Sequence, residues 1–60
     1  MSKRYYDVRE LAELLGCSVS TVWRHVQKGV LPRPFRIGGL TRWDGTEIDA
    51  TLAQAKEEAA

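Results

Sequence analysis

Asp7-Val8-Arg9-Glu10-Leu11-Ala12-Glu13-Leu14-Leu15-Gly16-Cys17-Ser18-Val19-Ser20-Thr21-Val22-Trp23-Arg24-His25-Val26-Gln27-Lys28-Gly29 is the stretch on which the fold turns. Its first half reads as a helix. Asp7 can cap it, Glu10 follows at capping-box spacing, and Tyr6 and Leu11 hold the two staple positions. Val8, Leu11, Leu14 and Leu15 recur at helical spacing and predict one apolar face. Gly16 permits the left-handed conformation that ends a helix. A second helix follows at once, with Ser18 as N-cap and a run to about Lys28, stopped by Gly29 with Pro32 beyond. Val19, Val22, Trp23 and Val26 are spaced to face the first helix. Ser20, Thr21, Arg24 and Lys28 occupy the opposite side, flanked by His25 and Gln27. Two short helices joined by a tight turn that contains glycine form a helix-turn-helix pattern.

Downstream the chain is extended. Pro32 and Pro34 bias Leu31 and Arg33 away from helix. Phe35-Arg36-Ile37 and Thr41-Arg42-Trp43 alternate apolar and polar residues, as half-buried strands do. Gly38-Gly39-Leu40 between them reads as a three-residue hairpin loop. On that reading Phe35, Ile37 and Trp43 point inward, and Arg36 and Arg42 project from one shared face as a two-arginine wing. Asp44 and Glu47 repeat the capping-box spacing and open a third helix over roughly 45–57, with Ile48, Leu52 and Ala55 as its apolar stripe. The tail from Lys56 onward is expected to fray. The fold class that follows is mostly α with a small β-hairpin. It is a winged helix-turn-helix of three helices and a two-stranded wing, formed by residues 1–60 as a single domain.

The formal net charge is only +1, but it is segregated. Residues 14–43 carry Arg24, Lys28, Arg33, Arg36 and Arg42 and no carboxylate, whereas residues 44–60 carry Lys56 against five acids. A thirty-residue stretch free of carboxylates is a candidate footprint for a polyanion. The competing reading is a solvated basic face without a partner.

Composition narrows the rest. A chain of 60 residues is small, and about 60% of its unfolded surface is all that such a domain buries. One cysteine, Cys17, allows no internal disulfide, and with the single histidine it gives no zinc-ligand set. Cys17 is expected to be a small apolar filler in the turn. No Ser/His/Asp set, phosphate loop or carboxylate pair can be assembled, so neither an enzyme nor a cofactor or metal is expected. The segment Met1–Asp7 lacks the apolar core of a signal peptide, and no apolar run approaches the roughly 20 residues of a membrane span. A cytoplasmic protein with no membrane partner is the expectation.

The run from Val8 to Arg24, continued by Lys28-Gly29-Val30-Leu31-Pro32-Arg33-Pro34, Arg36-Ile37-Gly38-Gly39 and Thr41-Arg42-Trp43, resembles the AlpA-like prophage regulators and excisionases. These are small winged-helix proteins related to the MerR-type DNA-binding domain. The resemblance covers residues 6–52. It implies a bacterial or phage-encoded protein that binds double-stranded DNA near an attachment site or promoter. The role it implies is that of a recombination directionality factor, acting with an integrase, or of a transcription regulator. It also implies several copies on adjacent sites, associating cooperatively on the DNA.

The candidate DNA contacts fall in two groups. On the second helix they are Ser18, Ser20, Thr21, Arg24, His25 and Lys28; an α-helix fits the major groove and its N-terminal residues reach base edges first. On the loop and wing they are Arg33, Arg36, Gly38, Gly39 and Arg42, for phosphates or a narrow minor groove. For His25 a passive place on the helix flank competes with a phosphate contact, and for the two glycines ordinary turn chemistry competes with close approach to DNA. Trp23 and Trp43 are expected chiefly in the core, with Trp23 at its edge, where its indole N–H could still touch a phosphate, and Tyr5 and Tyr6 against the start of the first helix. A reading of another class remains open: a protein-interaction module whose acidic third helix docks a basic partner.

Overall fold

The computed structural model describes residues 4–59. Met1–Lys3, part of the N-terminus read above as free of a leader, and Ala60 lie outside them. The order is β1 (Tyr5–Tyr6), α1 (Val8–Leu15), α2 (Val19–Gln27), β2 (Phe35–Ile37), β3 (Leu40–Asp44) and α3 (Gly45–Ala59). The molecule is a winged helix-turn-helix: three helices and a small antiparallel hairpin.

The helix pair forms where its caps dictate. The Asp7 carboxylate accepts the Glu10 backbone N–H at 2.7 Å, and the Glu10 side chain accepts the Asp7 N–H at 3.0 Å. This reciprocal box satisfies two donors that the helix itself cannot. At the other end Gly16 sits at φ 69°, and the N–H groups of Gly16 and Cys17 donate to the carbonyls of Glu13 and Ala12. That pattern requires a left-handed residue, which glycine adopts without a Cβ penalty. Ser18 then caps α2, accepting from Thr21 N–H at 3.2 Å. Gly29, at φ 79°, closes α2 in the same manner, with Gly29 and Val30 donating to Val26 and His25. Asp7→Ala removes the first box and is expected to cost about 1 kcal/mol, read as a lowered midpoint in chemical denaturation.

The sheet has three strands in the order β1-β3-β2, all antiparallel. Two features differ from expectation. First, Tyr5 and Tyr6 are a strand of their own, paired with Asp44 and Trp43. Second, the hairpin loop holds two residues, Gly38 and Gly39, both at positive φ, and Leu40 pairs directly with Ile37. Positive φ at both central positions gives the turn whose twist suits a tight hairpin. The register therefore sets Phe35 opposite Arg42 and Arg36 opposite Thr41. Residues directly opposite one another share a face, and alternate residues along a strand do too. Arg36 and Arg42 thus project from opposite faces, not one. Phe35 and Ile37 lie on the outer face, 41% and 62% exposed, and do not point inward.

The core consists of Tyr6, Leu11, Ala12, Val22, Leu31, Trp43 and Ile48, with Val8, Leu15, Cys17, Val26 and Leu52 packed around it. Trp43 is completely buried, and its indole N–H donates to the Pro32 carbonyl at 2.8 Å. Leu14 is 46% exposed, so the apolar face of α1 runs through Val8, Leu11, Ala12 and Leu15 instead. The reason is angular: Leu14 stands one helical step of roughly 100° from Leu15, away from the core. On α2, Val22 is buried while Val19 and Trp23 are partly exposed.

α3 starts at Gly45, whose N–H donates to Arg4 O at 2.7 Å. Asp44 caps it through the Thr46 N–H, at 2.8 Å, and not through that of Glu47. The helix continues to Ala59, past the point where fraying was expected. Among the described residues no helix is long and apolar enough to cross a membrane.

Candidate nucleic-acid interface

The exposed side of α2 begins with a cluster of hydroxyls. Ser18 Oγ lies 2.9 Å from Thr21 Oγ1 and 3.2 Å from Ser20 Oγ. Arg24 Nη2 donates to Thr21 Oγ1 at 3.3 Å, which holds the guanidinium over the first turn of the helix. Ser18, Ser20 and Arg24 are exposed, and Thr21 is half-buried. Lys28 follows one turn beyond Arg24 and is also exposed. The helix N-terminus adds partial positive charge from its unpaired N–H groups. Hydroxyls, a planar guanidinium and a helix N-terminus together favour anions and hydrogen-bonding base edges.

His25 stands apart from that set. It is half-buried, and its Nδ1 is shielded from solvent without a hydrogen-bond partner. It lines a groove of about 690 Å³ between α2, the segment after it and α3, together with Leu15, Cys17, Val30, Leu31 and Ala55. Thr21 reaches the edge of the same groove. Cys17 is a free, half-buried thiol against the core. Among the described residues no cluster of His, Cys, Asp and Glu could hold a metal ion.

The wing is tied to α2 by aromatic contact. The Trp23 and Trp43 rings lie 5.2 Å apart at an interplanar angle of 50°. Trp43 shares its sheet face with Tyr6, Thr41 and Arg36 by the register. α2 and Arg36 therefore lie on the same side of the sheet. Arg33 is exposed between the two prolines, and Gly38 and Gly39 form an exposed tip with open space around each Cα. Arg42, on the far face, donates through Nη1 to its neighbour's carbonyl, Thr41 O, at 2.8 Å. The structure thus gathers Ser18, Ser20, Arg24, Lys28 and Arg36 on the α2 side, and it separates His25 and Arg42 from them.

Two exposed residues outside the expected set border this surface, Trp23 and Gln27. Gln27 could have been found from its spacing, three residues after Arg24. Trp23 was assigned chiefly to the core by its apolar character, and only its place at the edge of the apolar stripe pointed to this surface.

No characterised protein and no solved structure matches the chain. A family model described as a helix-turn-helix domain matches residues 5–56, from the first strand through most of α3. The match takes in both helices of the motif, the wing and the helix that follows, and the chain belongs to that helix-turn-helix domain family, a DNA-binding class.

Proposed function

We propose that residues 1–60 act as a single domain that binds duplex DNA sequence-specifically as an excisionase-type factor. It lays α2 in the major groove and shapes attachment-site DNA for the integrase of a phage or mobile element. The observation that carries the DNA reading is the Ser18–Ser20–Thr21–Arg24 cluster on the N-cap and first two turns of α2, inside a segment without a single carboxylate. Ser20 and Arg24 are the base readers in this scheme, with Lys28, Arg33 and Arg36 on phosphates. No side chain is assigned a catalytic role, and the chain acts in the cytoplasm without a cofactor. The excisionase role rests on the resemblance of residues 6–52 to the AlpA-like prophage regulators and excisionases. An excision assay with the cognate integrase separates it from the transcription-regulator role, since only the excisionase role requires the recombinase.

Arg24→Ala tests the base-reading assignment. Binding to a duplex selected from a random pool should weaken by about 1–3 kcal/mol, or roughly 5- to 150-fold. Binding to unselected duplex should weaken far less. An equal loss on both would reduce Arg24 to a phosphate contact.

A further inference from the structure

We infer that the outer face of the sheet is a self-association surface, on which a second copy of this chain packs face to face. Register places Tyr5, Phe35, Ile37, Leu40, Arg42 and Asp44 on that face. Four of them are large apolar side chains left 48%, 41%, 62% and 54% exposed, in that order. Tyr5 and Phe35 pack edge to face, centroids 5.6 Å apart, which joins the strip across all three strands.

This arrangement inverts the usual one. An antiparallel sheet with one solvated face normally turns its polar residues to water. Here the helices cover the inner face, yet the apolar members of β2 point away from them and Arg36 does not. A contiguous apolar strip of this kind on a small domain marks a contact surface.

Charge selects the occupant. The strip carries one cation and one anion, Arg42 and Asp44, two residues apart on β3. Its net charge is zero, so it offers a polyanion nothing to neutralise, and it faces away from α2. A two-fold pair requires that each residue meet its counterpart reciprocally. An antiparallel face-to-face pair meets that condition: each Arg42 approaches the other copy's Asp44, and the Ile37–Leu40 tip of one lies toward the Tyr5 ring of the other. Sheets packed in this way sit about 10 Å apart, which these side chains fill.

Six side chains per copy is well below the roughly 20–30 residues a side of a stable interface. The pair is therefore weak in free solution, and it gains strength when one duplex holds two copies at high effective concentration. That last step rests on the DNA-binding reading; the pairing itself does not.

The test uses the full chain without DNA. Sedimentation equilibrium and amide chemical shifts are followed from about 20 μM to about 1 mM, the span that brackets a dissociation constant near 0.1–1 mM. The weight-average mass should climb toward twice that of the monomer, and the concentration-dependent shifts should concentrate at residues 5, 35–37 and 40–44. An Ile37→Asp/Leu40→Asp double variant should weaken association at least tenfold while keeping its circular dichroism and melting curve, because both side chains are exposed. A monomer mass throughout for the unmodified chain would overturn the proposal. So would shifts centred on the Leu15–Val30–Ala55 groove. A double variant that loses affinity for random duplex with no change in association would make the face a DNA contact instead.

Discussion

Trp43→Ala should leave the chain without a cooperative unfolding transition. Trp43 is fully buried at the centre of the core, and truncating such a side chain costs about 3–5 kcal/mol. The loss has further parts here. The Pro32 carbonyl loses its donor, and Trp23 loses the ring against which it packs. Total stabilities of small domains run from about 5 kcal/mol upward, and a chain of 60 residues belongs at the low end. The substitution therefore removes most or all of the stability. Far-UV circular dichroism against urea should show a sloping baseline in place of a sigmoid. Trp43→Phe keeps the apolar bulk but not the donor, and it should retain a transition with a lower midpoint. A sigmoid for the alanine variant at the unmodified midpoint would mean that the core does not depend on this ring.

Raising salt from 50 to 200 mM should weaken DNA binding by about 150-fold. Each phosphate neutralised releases about 0.9 counter-ions from duplex DNA, so log K falls with log salt at about that slope per contact. The α2 side of the molecule offers Arg24, Lys28 and Arg36, and the exposed loop before the wing adds Arg33. Four contacts set a slope of about −3.6. Arg42, on the outer face, contributes to the slope only if the duplex reaches both sides of the ribbon, which would steepen it to about −4.5. Fluorescence anisotropy on one duplex at several salt concentrations measures the slope directly. A slope near zero would remove electrostatics from the binding model, and the steeper value would bring Arg42 onto the DNA.

The helix pair was legible in the sequence because its signals are local. Asp7 and Glu10 bond to each other across three residues, and Ser18, Gly16 and Gly29 each act within one helical turn. The Ser18–Arg24 cluster was legible for the same reason. The wing was misread through a single residue. A three-residue loop would have set Arg36 opposite Arg42; the two-residue loop sets Phe35 there. A slip of one residue in register carries a strand's side chains to the other face, so one misplaced loop boundary reversed β2, while Trp43 and Arg42 on β3 kept the faces expected of them. Apolar alternation could not correct the error, because it fixes which residues share a face and not which face is covered. β1 left no local trace at all. Two tyrosines become a strand only through pairing with Trp43 and Asp44, nearly forty residues away. His25 looked like a flank residue until α3 closed a groove beside it.

The Trp23–Trp43 contact has a consequence for the shape of any bound duplex. In the proposed binding mode one indole belongs to the helix that enters one groove and the other to the ribbon that reaches toward the next. Aromatic rings have a fixed thickness and do not compress, and the second of them is anchored to Pro32. On that proposal the ring contact sets the spacing between the two elements, as the hinge of a caliper sets the opening of its jaws. DNA whose grooves are spaced differently from that opening is then expected to deform on binding, so that its stiffness enters the choice of site.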